Sequence, residues 1–226
     1  MSLLVVSAAV LAAAVGADKA VRLDSPLREY VEARAAEFEQ IPEERKLQLT
    51  EIALFVRARV RSGQPALLTF ICTHNSRRSH LAQVWGKVAA TYYGVTNVET
   101  FSGGTEATAF NPRAISALKR AGFAISTSES DKSNPRYHVR FHDSAPTMEC
   151  FSKVYSDDPN PKKDFCAVMT CSQADQSCPL VAGAALRIAV PYEDPKAFDG
   201  TPEETEKYDE RCKQIAREML YIFSKI

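Results

Sequence analysis

The 226-residue sequence predicts an α/β fold, a doubly wound four-stranded parallel sheet preceded by an N-terminal helical hairpin. Short, nearly continuous apolar runs alternate with amphipathic helical stretches from residue 67 onward, Gly and Asn-Pro punctuation separates them, and residues 26 to 62 carry two helical stripes with no strand between. With 45% hydrophobic and 25% charged residues the chain can bury a sizeable core. Its 28 basic side chains balance 28 acidic ones, which excludes a strong global field for nucleic acid or anionic lipid.

Residues 1–17 stand apart. Leu3 to Val15 is apolar, but 13 residues are too few to span a bilayer, so no membrane span is expected. The run ends in small residues, Val15-Gly16-Ala17, as a secretory signal does, yet no Lys or Arg precedes it. It reads either as a signal peptide or as an N-terminal extension outside the fold. Residues 18–63 are expected to be a helical region. Leu27, Val31, Ala35 and Phe38 share one face, Pro42 sits where a first turn tolerates it, and Leu49, Ile52, Val56 and Val60 form a second stripe that stops at Gly63.

Residues 64–226 form the main domain, with an insertion at 130–164. Leu67 to Ile71 is an apolar run suited to a strand covered on both faces. A polar loop, Cys72 to Arg78, leads into a helix with Leu81, Trp85, Val88 and Tyr92 in line. The order repeats with a strand at Val98 to Phe101 and a helix opened by Asn111-Pro112 and closed by Gly122. The insertion is polar and broken by Asn134-Pro135, Asp158-Pro159 and Asn160-Pro161; one edge strand near Tyr137 to Phe141 and a short helix near Met148 to Tyr155 are expected there. Phe165 to Thr170 and Leu186 to Val190 supply the last strands. A helix from about Pro202, striped by Tyr208, Cys212, Ile215, Met219 and Ile222, ends the chain. Such sheets bind ligands beyond the carboxyl ends of their strands, where the Cys72 to Arg78 loop falls.

That loop and the residue after it, Cys72-Thr73-His74-Asn75-Ser76-Arg77-Arg78-Ser79, have the form C-x5-R-S. As a bare pattern this is weak, since about 0.4 such Cys/Arg pairs arise by chance in this composition. Its place between a strand and a helix gives it meaning. Bent around a helix start, the backbone N–H groups of Thr73, His74, Asn75, Ser76, Arg77 and Arg78 can converge on a tetrahedral oxyanion, where the helix dipole also favours negative charge. The same field favours a thiolate at Cys72. Arg78 suits a two-pronged contact to oxyanion oxygens, Ser79 can donate to the thiolate, and Asn75 suits a left-handed turn.

These residues, with Ser102-Gly103-Gly104-Thr105-Glu106, Asn111-Pro112 and Tyr192-Glu193-Asp194-Pro195, resemble the low-molecular-weight protein tyrosine phosphatase superfamily, and in particular its thioredoxin-coupled arsenate reductase branch. The resemblance covers about residues 65 to 226 and implies a flavodoxin-like fold. No cofactor and no metal are expected: the six cysteines form no CxxC pair and no Cys/His cluster at zinc spacing, and Gln83 stands where many reductases of that family carry an acidic residue that helps bind potassium. It implies Cys72 as nucleophile, Arg78 as oxyanion ligand and Asp194 as general acid. A phosphatase needs one thiol, whereas a reductase must deliver two electrons. Cys171-Ser172-Gln173-Ala174-Asp175-Gln176-Ser177-Cys178 resembles the redox loop of the arsenate reductases, which implies a relay from Cys72 through Cys171 to Cys178 and then to thioredoxin or a similar dithiol. The substrate expected is arsenate, or a phosphomonoester if the chain is a phosphatase; a non-catalytic oxyanion-binding module is the third reading. Because an oxidising space would trap Cys72 as a disulfide, a cytoplasmic location is expected, with export the alternative if residues 1–17 are cleaved.

Overall fold

The computed structural model describes residues 23–128, 133–142 and 146–226; the signal-or-extension segment at residues 1–17 lies outside them. The chain runs through α1 (Ser25–Ala35), α2 (Glu43–Arg61), β1 (Ala66–Cys72), α3 (Arg78–Tyr92), β2 (Val98–Gly104) and α4 (Pro112–Arg120). It continues with β3 (Ala124–Ser128), β4 (Arg136–Arg140), β5 (Met148–Cys150), β6 (Phe165–Met169), α5 (Ser172–Ser177), β7 (Ala184–Ala189) and α6 (Glu204–Phe223). Four strands form a parallel sheet in the order β2-β1-β6-β7, so the chain reverses its winding between β1 and β6.

Alternation along the two central strands splits the core. Leu68 and Phe70 of β1 and Cys166 and Val168 of β6 face the larger cluster, where α1, α2, α3, α4 and α6 bury Leu27, Leu49, Trp85, Leu118 and Ile215. Ile71 of β1 and Phe165, Ala167 and Met169 of β6 face a smaller cluster beneath α5. Both strands are apolar at consecutive positions because each face is covered. Asn111 caps α4 through Oδ1, which accepts from Arg113 N at 2.9 Å, and Pro112 fills the first turn.

The insertion differs from expectation. Its two strands, β4 and β5, pair with β3, which precedes it, in a three-stranded antiparallel sheet of order β3-β4-β5, and the segment from Met148 begins as a strand rather than a helix. Met148 pairs with Val139 and Cys150 with Tyr137, placing Cys150 in the core while Glu149 points away. Cross-strand pairing decides the conformation of so short a piece, since three residues carry no readable period.

Candidate active site

The loop from Cys72 to Arg78 joins the carboxyl end of β1 to the first turn of α3. Asn75 makes the bend at φ 44°, a left-handed conformation that asparagine tolerates. Its buried side chain works in two directions: Nδ2 donates to Ser79 Oγ at 2.9 Å, and Oδ1 accepts from Lys153 N at 2.9 Å. Ser79 Oγ lies 3.1 Å from Cys72 Sγ. The loop's carbonyls are bound outward. Cys72 O accepts from Thr105 N at 3.2 Å, Thr73 O from Glu106 N at 3.0 Å, His74 O from Ser152 Oγ at 3.1 Å and Ser76 O from Asn111 N at 2.9 Å. In a trans peptide the following N–H points the opposite way, so the amides of Thr73, His74, Asn75 and Arg77 turn toward the loop interior. Gly104 allows this packing, since a Cβ there would stand 2.6 Å from Thr73 O and 2.7 Å from Asn75 N.

Asp194, just beyond the carboxyl end of β7, reaches the same loop. Arg77 holds its carboxylate with two prongs, Nε to Oδ1 at 2.9 Å and Nη2 to Oδ2 at 3.2 Å. Arg78 Nη2 donates to Oδ2 at 2.7 Å, and its Nη1 donates to Tyr192 O at 2.8 Å. Lys196 N donates to Oδ1 at 3.1 Å, so Asp194 also caps the one-turn helix Pro195–Phe198. Burial alone would push the Asp194 carboxyl up, but the guanidinium groups of Arg78 and Arg77 outweigh it and hold the carboxyl below its ordinary range. His74 Nε2 pairs with Glu106 Oε1 at 2.9 Å on the exposed rim.

The family model described as low molecular weight phosphotyrosine protein phosphatase matches residues 67–143. An arsenate reductase of Brevibacillus brevis is 35% identical over 127 residues, covering 56% of this chain and 74% of that protein. One from Shouchella clausii is 30% identical over 138 residues, covering 61% of this chain and 80% of that protein. This chain belongs to the low molecular weight phosphotyrosine protein phosphatase family. An arsenate reductase of Bacillus subtilis, 28% identical, is covered over 95% of its length, so the likeness runs well past the segment that the family model matches.

This phosphatase-family chain carries two further thiols beside the loop. Cys171 is buried, its Sγ lies 3.4 Å from Thr73 Oγ1, and it caps α5 by accepting from Ala174 N at 3.3 Å. Cys72 and Cys171 share the smaller apolar cluster, and the half-buried Cys178 packs against it at the other end of α5. Cys150, Cys166 and Cys212 are buried in the larger cluster. Burial pushes the thiols of Cys150 and Cys212 up to about 12 and that of Cys166 upward as well, which suits packing rather than reaction.

Two neighbours of the loop were not legible as site residues. His80 is fully buried, stacks on Phe110 with centroids 4.0 Å apart, and places Nδ1 3.2 Å from Ser102 Oγ. Burial, helped by the charge of Lys153, holds its imidazole well below the ordinary range, so it stays neutral. Lys153 is buried too, and burial pulls its ammonium down to about 8. Its backbone ties the insertion to the loop: N donates to Asn75, and O accepts from Gly104 N at 2.9 Å. The only sequence hint was their position, one directly after Ser79 and the other in a polar segment next to a cysteine and aromatic residues. Among the described residues no helix is long and apolar enough to cross a membrane.

Proposed function

We propose that this chain reduces arsenate to arsenite through a cysteine nucleophile and a thiol relay, using thioredoxin or a similar dithiol as the electron source. The observation that carries the reading is the gathering of Cys72, Cys171 and Cys178 around one small apolar cluster, with the Thr73 hydroxyl against Cys171. The Cys72 thiolate attacks the arsenic of an anion held by the loop amides and Arg78, forming an S–As bond as an oxygen leaves with the proton of Asp194. Cys171 thiolate then attacks the Cys72 sulfur. The S–As electron pair passes to arsenic, arsenite departs, and a Cys72–Cys171 disulfide remains. Cys178 attacks Cys171, restoring Cys72, and the external dithiol reduces the Cys171–Cys178 disulfide.

The last exchange demands movement. Cys171 and Cys178 flank the six residues of α5. At about 1.5 Å rise per residue their Cα atoms stand on the order of 10 Å apart, whereas a disulfide holds Cα atoms at roughly 4.4–6.8 Å. Relay therefore unwinds α5. The same cradle with Asp194 supports a second reading, hydrolysis of phosphomonoesters, which needs Cys72 alone as the thiol.

The two readings separate in a Cys178→Ser variant. Reduction predicts loss of multiple-turnover arsenate reduction with thioredoxin while p-nitrophenyl phosphate hydrolysis persists; unchanged arsenate turnover in that variant refutes the relay. Turnover of neither substrate by reduced protein that still binds sulfate would point instead to an oxyanion-binding module. A relay of free thiols works in a reducing compartment, so we place the protein in the cytoplasm, with residues 64–226 as the catalytic unit and 18–63 as its helical cover. Mass spectrometry showing residues 1–17 removed would overturn that placement.

A further inference from the structure

We infer that Arg77 is a positioning residue: it keeps the Asp194 carboxylate at the mouth of the cradle so that Arg78 can leave Asp194 for an incoming tetrahedral oxyanion. The inference rests on the proposed role of Asp194 as acid and extends it to a residue with no assigned side-chain task. Arg78 has two claims on it. One prong is on Asp194 Oδ2 and the other on Tyr192 O, and its buried Nε makes no hydrogen bond among the described residues. An anion in the cradle competes with Asp194 for that guanidinium. Among the described residues Arg77 has no second carboxylate to serve. Both its prongs go to Asp194, its side chain is only 9% exposed, and together with Lys196 N it still gives the carboxylate three donors once Arg78 has gone.

The charged and titratable groups around Asp194 are Arg77 and Arg78 at the start of α3, Tyr208 on α6, and, hydrogen-bonded to Tyr208 at 2.8 Å, Asp199, which lies near Arg113 of α4. The His74–Glu106 pair completes the rim of the loop. When an oxyanion takes Arg78, Asp194 loses one lowering partner and gains an anionic neighbour, while its burial persists, so its proton affinity rises. Anion binding is thereby coupled to proton uptake by the acid. Arg77 limits how far that rise goes and fixes where the proton is presented.

Sulfate is a suitable probe because it does not titrate near neutrality. In a Cys72→Ser background, sulfate binding is followed by calorimetry in two buffers of different ionisation enthalpy between pH 4 and 7. The parent protein takes up protons on binding, and Asp194→Asn abolishes the uptake. Arg77→Gln moves the uptake to higher pH and changes sulfate affinity by less than about threefold, and Arg77→Lys returns the uptake toward its original pH. A merely structural role would lower the melting temperature without moving the uptake. Uptake at the same pH in parent and Arg77→Gln overturns the inference, as does a loss of affinity in Arg77→Gln equal to that in Arg78→Gln, which would make Arg77 an anion ligand. Sulfate that binds without any proton uptake refutes the coupling but leaves the cradle intact. No sulfate binding by the parent removes the cradle reading itself.

Discussion

Replacing Asn75 tests whether the loop's shape is held by one side chain. The residue is fully buried, sits at φ 44°, and bridges Ser79 Oγ and Lys153 N at 2.9 Å each. In Asn75→Ala the Lys153 N–H loses its acceptor inside the protein, which costs roughly 1–3 kcal/mol, and an alanine in the left-handed region adds about 1 kcal/mol. Asn75→Gly incurs the first penalty without the second. The expected losses are thus about 3 kcal/mol for alanine and about 2 kcal/mol for glycine, read from urea titrations as a lower midpoint at unchanged slope. Ser79 Oγ also loses the Asn75 donor while keeping its contact with Cys72 Sγ, so the alkylation rate of Cys72 should change in both variants. Equal stability of the alanine and glycine variants would refute the argument from backbone conformation, and losses below about 0.5 kcal/mol in both would refute the bridge.

Gly104→Ala should abolish sulfate binding in a titration, because the new methyl would stand 2.6 Å from Thr73 O and 2.7 Å from Asn75 N of the cradle and 2.2 Å from O of Glu106, whose backbone is hydrogen-bonded to it. Asp194→Asn should flatten the acid side of the stability profile. The Asp194 carboxyl is held low in the fold, so its contribution is complete above the ordinary Asp value near 4 and fades as pH falls through the folded value; an unchanged difference between variant and parent across that window would count against the salt-bridge account. Oxidising Cys72→Ser protein to form the Cys171–Cys178 disulfide should deprotect the amides of α5 in hydrogen exchange while β6 stays protected, and retained α5 protection would refute the unwinding.

Much of the fold can be read along the chain because period and burial coincide there. Leu67 to Ile71 and Phe165 to Thr170 are apolar throughout, and the stripe Tyr208, Cys212, Ile215, Met219 follows the buried face of α6. β3 and β5 escape such reading: Ala124–Ser128 is largely exposed, and Met148–Cys150 is too short to show alternation. The strand-loop-helix setting of Cys72 to Ser79 is local and therefore legible. The destination of the Arg77 side chain is not, since its partner lies 117 residues further on. Likewise, an amphipathic reading of α3 selects Leu81, Trp85 and Val88, whereas Ser79 through Gly86 are all buried, a fact that depends on α6, β1 and β2 all packing against the helix.

The outward carbonyl bonds of the loop also bear on how this protein assembles. Lys153 N and Ser152 Oγ each reach back 78 residues to grip Asn75 and His74. Closing so long a stretch of chain is entropically costly and comes after local turns and helices have formed. The Cys72 to Arg78 loop is consequently a late product of folding: a fragment ending before residue 150 would contain the whole signature sequence yet lack the struts that set its curvature.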